Sequence, residues 1–277
     1  MSRLSPWEIG RTLARMVAID ARNGIIAWRW LLALLAFTTA AVVDADMLKG
    51  SFRRHGIARP VDVWDLFPAM LINELFLIWL LGLGFMLLVG DSYLRERERG
   101  AVTLCILRMP SRTLWWLGKM GSLGVMSLCF GGGGLALTLL AGVFLAPPGS
   151  VPLLGREGLP GMYPRADLFV PAYVLLLAGY TAWALWIIAC AIVLLSVFIP
   201  HKATVLAASL LWVTVSLPWI RPMYQGHARL LSLDYFITAA KHDVPDSMSF
   251  QAYFVISASA AVLMAIAGSW RLRWEEL

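Results

Sequence analysis

The stretch FVPAYVLLLAGYTAWALWIIACAIVLLSVFI, residues 169–199, contains no Asp, Glu, Lys or Arg. A bilayer core of roughly 30 Å is crossed by about 20 helical residues at 1.5 Å each, so this run predicts a membrane-spanning helix. Because it is longer than one crossing needs, we expect it to tilt, to break or to project from the membrane.

Five other stretches are also predominantly apolar over about 18 residues or more. The 277-residue chain is 60% hydrophobic and only 14% charged, whereas soluble domains are near half apolar and a quarter charged. We therefore predict an all-α integral membrane protein, a single transmembrane domain over residues 1–277 with six spans. The spans are predicted at residues 25–43, 67–90, 114–146, 169–199, 203–220 and 252–270.

The distribution of Lys and Arg predicts the orientation. With the N-terminus inside, the cytoplasmic segments carry more basic residues than the outer ones, although the first outer loop is itself basic. We predict a multi-pass protein of a plasma membrane, such as a bacterial inner membrane, with both termini cytoplasmic. The net charge of +6 then reflects topology and contact with lipid headgroups, and no nucleic-acid partner is predicted.

Residues 5–23 predict an amphipathic helix before the first span. Ser5 at the N-cap, Pro6 at the first helical position and Glu8 three residues after the cap form a capping-box pattern. Apolar and charged residues recur at helical spacing on opposite faces. The apolar set is Ile9, Leu13, Met16 and Val17, and the charged set is Glu8, Arg11, Arg15 and Arg22. This pattern indicates an interfacial helix, either a functional element or a simple anchor.

Motifs of enzymatic sites are missing from the sequence. It has no GxxxxGK[ST], HExxH or GxSxG pattern, and its histidines and cysteines lack metal-ligand spacing. We predict no catalytic residue, no metal and no cofactor bound by this chain. Inside a span, Glu74 beside Asn73 is a candidate for the transport path. The carboxyl could bind a cationic substrate, carry a proton or hydrogen-bond a neighbouring helix.

Four consecutive glycines, Gly131 to Gly134, interrupt the third predicted span. Small residues let two helices approach closely. Glycine also weakens a helix by about 1 kcal/mol per residue relative to alanine. The run therefore predicts either close helix packing or a flexible point.

The segment VGDSYLRERERGAVTLCILRMPSRTLWWLGKMGSL, residues 89–123, connects the second and third predicted spans. Its mixed-charge run, residues 95–99, ends at Gly100, a residue that commonly ends helices. A short apolar stretch, residues 101–109, follows and is closed by Pro110. The pattern predicts a helix, a turn and a second short helix across the cytoplasmic membrane face. A solvated basic loop that fixes topology is the alternative.

This segment resembles the signature of the ABC-2 type permeases, the membrane subunits of ATP-binding-cassette exporters with a type V transmembrane fold. That signature has an ERExG stretch, an apolar run with a TL pair, a P-S-R turn and a GK pair. The matching residues are Glu96, Glu98, Arg99, Gly100, Thr103, Leu104, Pro110, Ser111, Arg112, Gly118 and Lys119. The chain departs from it at Ala101, where the family usually has threonine.

The resemblance implies that residues 91–112 form a coupling segment that docks on a separate ATPase subunit, together with the interfacial helix. ATP and Mg would be bound by that partner. The implied coupling residues are Glu96, Arg97, Glu98, Arg99, Gly100, Thr103, Leu104 and Arg112. The resemblance also implies a second permease copy, identical or related, and export of an amphipathic or hydrophobic substrate. A non-transporting scaffold or sensor of the cell envelope is the alternative.

Overall fold

Every element that the computed structural model describes is a helix. The structure describes residues 5–25, 28–58, 60–73, 76–90, 92–98, 111–146, 170–199, 201–217, 237 and 249–274. The helices are α1 (Pro6–Ile25), α2 (Trp28–Arg54), α3 (Val63–Ile72), α4 (Phe76–Gly84), α5 (Phe85–Val89), α6 (Ser92–Glu98), α7 (Arg112–Leu145), α8 (Val170–Phe198), α9 (Lys202–Val215) and α10 (Phe250–Trp274).

Four of the described helices are long and apolar enough to cross a membrane. They comprise Arg29–Arg54, Arg112–Leu145, Val170–Phe198 and Gln251–Trp274. The apolar helices Val63–Ile72, Ile78–Val89 and Lys202–Val215 are shorter. In a bilayer, helices satisfy their own backbone hydrogen bonds, so this set of helices is that of a multi-pass membrane protein.

The predicted second span, residues 67–90, is wrong as a single straight helix. Asp62 caps α3 in a reciprocal capping box with Asp65, and α3 ends at Asn73, whose φ of −69° and ψ of 99° leave the helical region. The chain resumes in α4, which has the wide i to i+5 hydrogen bonding of a π-helix. The helix that contains the first predicted span, α2, continues past residue 43 to Arg54.

Helix α7 lies at the centre of the bundle and packs against α1, α2, α3, α8 and α10. The four-glycine run is part of this continuous helix. A Cβ atom at Gly134 would come within 2.5 Å of the Phe37 ring, and one at Gly131 within 3.4 Å of Ala182. Close packing is therefore the observed role of Gly131 and Gly134, and the helix does not break there.

Side-chain contacts define the two ends of the bundle. At one end, here called the basal end, α1, α6, the start of α7, the start of α9 and the end of α10 meet. Lys119 joins α7 to α1 and α6, Lys202 joins α9 to α6, and Arg112 joins α7 to α10. At the opposite, distal end the ammonium of Lys49 on α2 donates to the carbonyl of Leu145 on α7, at 3.0 Å.

Candidate functional site

A buried lysine ties three elements together at the basal end. The side chain of Lys119 on α7 is 2% exposed. Its ammonium donates to Oδ1 of Asp20 on α1 at 3.2 Å and to Oε1 of Glu96 on α6 at 2.5 Å. The hydroxyl of Ser122 donates to the other oxygen of Asp20. We call Lys119, Asp20, Glu96 and Ser122 the basal cluster.

Glycines on α7 bring α1 close enough for this cluster to form. Met16 of α1 lies against Gly118, where an added Cβ would be 2.5 Å from its sulfur atom. Val17 lies against Gly121 in the same way, at 3.0 Å. Met16 and Val17 belong to the predicted apolar face of α1, and in the structure they pack against α7. Ile9 of the same predicted face is 37% exposed, so it is not part of the contact with α7.

The basal cluster has two carboxyl groups for one ammonium. One positive charge balances only one carboxylate, and an unbalanced buried charge is costly. Partial burial of Glu96 raises the pKa of its carboxyl from 4.5 to about 7, although the Lys119 ammonium lowers this pKa; the Asp20 carboxylate contributes to the rise. Partial protonation of Glu96 near neutral pH therefore reduces the net negative charge of the cluster.

A second ion pair connects α6 to the first residue of α9. The Lys202 ammonium donates to Oε2 of Glu98 at 2.7 Å, and both side chains are exposed. Pairs of this kind contribute about 0 to 1 kcal/mol. Glu98 is therefore exposed at the basal end and its carboxylate is held on the side facing α9.

Arg112, predicted as a coupling residue, contacts the last turn of α10. Its Nη1 atom donates to the carbonyl oxygen of Leu272 at 2.8 Å. Carbonyl groups in the last turn of a helix lack intrahelical donors, and a basic side chain satisfies them. Arg112 therefore fixes the start of α7 to the end of α10.

The other predicted coupling residues divide into described and undescribed positions. Arg97 is half-buried on α6. Arg99, Gly100, Thr103 and Leu104 lie outside the described residues.

On α1 the predicted charged face is exposed at Glu8, Arg11 and Arg15. The predicted capping box is confirmed, because the Ser5 amide donates to Glu8 at 2.8 Å and the Glu8 amide donates to the Ser5 hydroxyl at 3.3 Å. The first of these bonds lowers the pKa of Glu8.

The candidate transport residues lie at the interruption between α3 and α4. The Asn73 amide donates to Oδ1 of Asp44 at 3.1 Å, and its oxygen accepts from the Phe76 amide at 3.4 Å. Asn73 thus links two helices and caps a third element. Glu74 lies outside the described residues.

Sequence reasoning missed Asp20 and Asp44 as site residues. Asp20 follows Met16 and Val17 on the apolar side of an amphipathic helix, which is an unfavourable place for an acid without a partner. Asp44 directly follows the last residue of the first predicted span, residues 25–43. The position of each acid next to apolar residues therefore indicated a need for a polar partner, which an analysis of hydrophobic periodicity alone does not detect.

Within the described part of the chain, no three His, Cys, Asp or Glu side chains group so that they could hold a metal ion. No protein-family model matches the chain, and no curated protein is significantly similar to it. Fold and site together define a helical multi-pass membrane protein whose basal end carries a charged assembly of α1, α6 and α7.

Proposed function

We propose that the chain is the permease subunit of an ATP-binding-cassette exporter, driven by ATP hydrolysis on a separate ATPase subunit. The observation that carries the proposal is the pairing of Glu96 with Lys119. Both residues belong to the stretch that resembles the ABC-2 permease signature. Their contact joins the charge-rich helix α6 directly to a long apolar helix.

A coupling element has to pass force from an ATPase into the membrane. The basal cluster ties α6 to α1 and α7, and the Glu98 to Lys202 pair ties α6 to α9. A push on α6 would therefore reach three helices together. Such rigid connections are what a transition between inward-open and outward-open states requires.

The contacts at the two ends of the bundle support a six-crossing arrangement with both termini cytoplasmic. Contacts at the basal end include α6, the starts of α7 and α9, and the end of α10, whereas the end of α2 meets the end of α7 at the distal end. The chain would then cross as α2, as α3 to α5, as α7, as α8, as α9 and as α10. In this arrangement the basal end faces the cytoplasm, where ATP is available.

In the complex, two permease copies, identical or related, would pair with two ATPase subunits that bind ATP and Mg. The membrane-facing surfaces of α2 and α10 are apolar, with Leu31 72% and Leu263 66% exposed. Such surfaces suit contact with lipid and with a second copy. The apolar spans favour an amphipathic or hydrophobic substrate, such as a peptide, a lipid or a drug.

The test is coupling to an ATP-binding-cassette ATPase, sought first among the reading frames beside this chain in its genome. The full chain and that ATPase are co-purified in lipid nanodiscs, and ATP hydrolysis is compared with that of the ATPase alone. We expect Glu98→Gln to reduce the stimulation severalfold, because Glu98 is exposed on the proposed docking surface.

Lys202→Gln is the matched control, because it breaks the same ion pair and leaves Glu98 in place. Equal losses in both variants would assign Glu98 a purely internal role. Failure of the two proteins to associate would contradict the proposed function itself. Stimulated ATP hydrolysis without movement of any fluorescent lipid, peptide or drug across proteoliposomes would favour the envelope scaffold.

A further inference from the structure

Asp44 is a buried carboxyl that the proposed coupling assembly does not use. It lies on α2 and is 7% exposed. Its Oδ1 atom accepts the hydrogen bond from Asn73 at 3.1 Å. Its Oδ2 atom is buried and, among the described residues, has no hydrogen-bond partner. A buried polar atom in this state points to a missing donor or to a missing charge.

The surroundings of Asp44 limit what could bind there. Metal cations such as Ca²⁺ and Mg²⁺ take about six or more oxygen ligands. Among the described residues no three His, Cys, Asp or Glu side chains group so that they could hold a metal ion, and the Asn73 oxygen next to Asp44 already accepts from the Phe76 amide. Since the free oxygen is withdrawn from solvent, a proton is the cation that reaches it without separating the helices.

We propose that Asp44 is a proton-binding carboxyl at the break between α3 and α4, and that its loading is transmitted to α4 through Asn73. An ionised carboxylate accepts a stronger, charge-assisted hydrogen bond than a neutral carboxyl group does. Protonation of Asp44 therefore weakens the hydrogen bond that it accepts from Asn73. Asn73 in turn caps α4, the π-helical segment, through the Phe76 amide.

The charged groups of the elements packed on α2 are remote from Asp44 or exposed. On α3, Asp62 and Asp65 lie in the capping box, about 12 Å or more before Asn73 along the helix axis. The segment α4 carries no charged residue. On α7, Thr138 contacts Met70 of α3. The charged residue of α7 nearest to Thr138 in sequence is Lys119, which lies about 28 Å away along the helix axis.

On α2 itself Asp46 is exposed, and the Lys49 ammonium donates to Leu145. Glu74 follows Asn73 directly in sequence and lies outside the described residues. Glu96 at the basal end also titrates in the range of such an experiment, with a pKa of about 7. Asp46, Glu74 and Glu96 are therefore the carboxyl groups that an experiment must distinguish from Asp44.

The test is infrared difference spectroscopy of the purified full chain in lipid, between acidic and alkaline buffer. We expect a protonated-carboxyl band that is lost in Asp44→Asn and retained in Asp46→Asn, Glu74→Gln and Glu96→Gln. Asn73→Ala should shift this band, because it removes the donor to Asp44. Loss of the band in Glu74→Gln in place of Asp44→Asn would overturn the proposal. A band that responds to added Na⁺ or K⁺ at constant pH would also overturn it.

Amide hydrogen exchange of the unaltered protein gives a second measurement if Asp44→Asn fails to fold. Residues 70–78 should exchange faster in acidic buffer than the general pH dependence of exchange predicts, with the Ser127 turn of α7 as internal reference. Equal corrected exchange at both pH values would contradict transmission to α4.

Discussion

Lys119 is buried between two carboxyl groups, and in apolar surroundings an ammonium is tolerated only when such partners hold it. The Lys119 ammonium lies 3.2 Å from Asp20 and 2.5 Å from Glu96 and forms an ion pair with each. Each partner comes from a different helix. A single side chain therefore determines whether α1 and α6 remain fixed to α7.

Replacing Lys119 with Met should lower the free energy of unfolding by about 3 to 5 kcal/mol, since it leaves two carboxyl groups in a buried place without their counter-charge. Lys202→Met is the control, because it removes an exposed ammonium from a comparable ion pair and should cost at most about 1 kcal/mol. Thermal unfolding in detergent measures both. Similar losses of stability in the two variants would mean that the basal cluster contributes no more to the free energy of unfolding than an exposed ion pair does.

The raised pKa of Glu96 predicts a dependence of stability on pH. A carboxyl whose pKa rises on folding binds more protons in the folded state than in the unfolded state. Stability is then lost as the pH rises from the ordinary value of 4.5 to about 7. Glu96→Gln should flatten this part of the melting profile, because the amide does not titrate. An unchanged slope in the variant would assign the dependence to other groups.

At the scale of elements, α7 is the helix on which the others assemble, and its glycines differ in what they allow. Gly134 faces the ring of Phe37, whereas nothing lies within 4 Å of a Cβ atom built on Gly132. The two positions share one uninterrupted helix. Alanine substitutions at these two positions therefore separate the effect of helix propensity on stability from the effect of packing.

Gly134→Ala should destabilise the protein by about 1 to 3 kcal/mol, because the added methyl group collides with an aromatic ring in a filled core. Gly132→Ala should stabilise it by up to about 1 kcal/mol, since alanine is the better helix former and open space receives the methyl group. Denaturation of the two variants in the same detergent checks the difference in sign. If both substitutions stabilised the protein, the packing of α2 against α7 would not depend on the close approach of Phe37 to Gly134.

For the whole molecule, the contacts at the basal and distal ends predict which exposed residues share a face of the membrane. Arg11 on α1 and His201 before α9 belong to the basal end, and His55 follows the distal end of α2. In the six-crossing arrangement, the basal and distal ends lie in different aqueous compartments.

Single cysteines at Arg11, His201 and His55, in a chain whose native cysteines are replaced by alanine, test this arrangement. A membrane-impermeant thiol reagent added to one side should label the cysteines at positions 11 and 201 together, and the cysteine at position 55 only from the other side. Labelling of positions 55 and 11 from the same side would contradict an odd number of crossings between them.

The amino-acid sequence by itself determined the class of protein and the extent of the long helices α7, α8 and α10. In a bilayer a chain must satisfy its backbone hydrogen bonds within each helix, so length and hydropathy suffice to predict such elements. The capping box of Ser5 and Glu8 was also predictable from the sequence, because its hydrogen bonds join residues three positions apart.

Only the tertiary structure decided which charges meet. Asp20 is 99 residues from Lys119, and Asp44 is 29 residues from Asn73. No local periodicity contains such pairs, because they depend on how helices cross and on small residues such as Gly118 at the crossing points. The break after α3 was hidden for a related reason. Most residues before and after Asn73 and Glu74 are apolar, and the hydrogen bond that Asn73 donates to Asp44 on α2 depends on how the two helices pack.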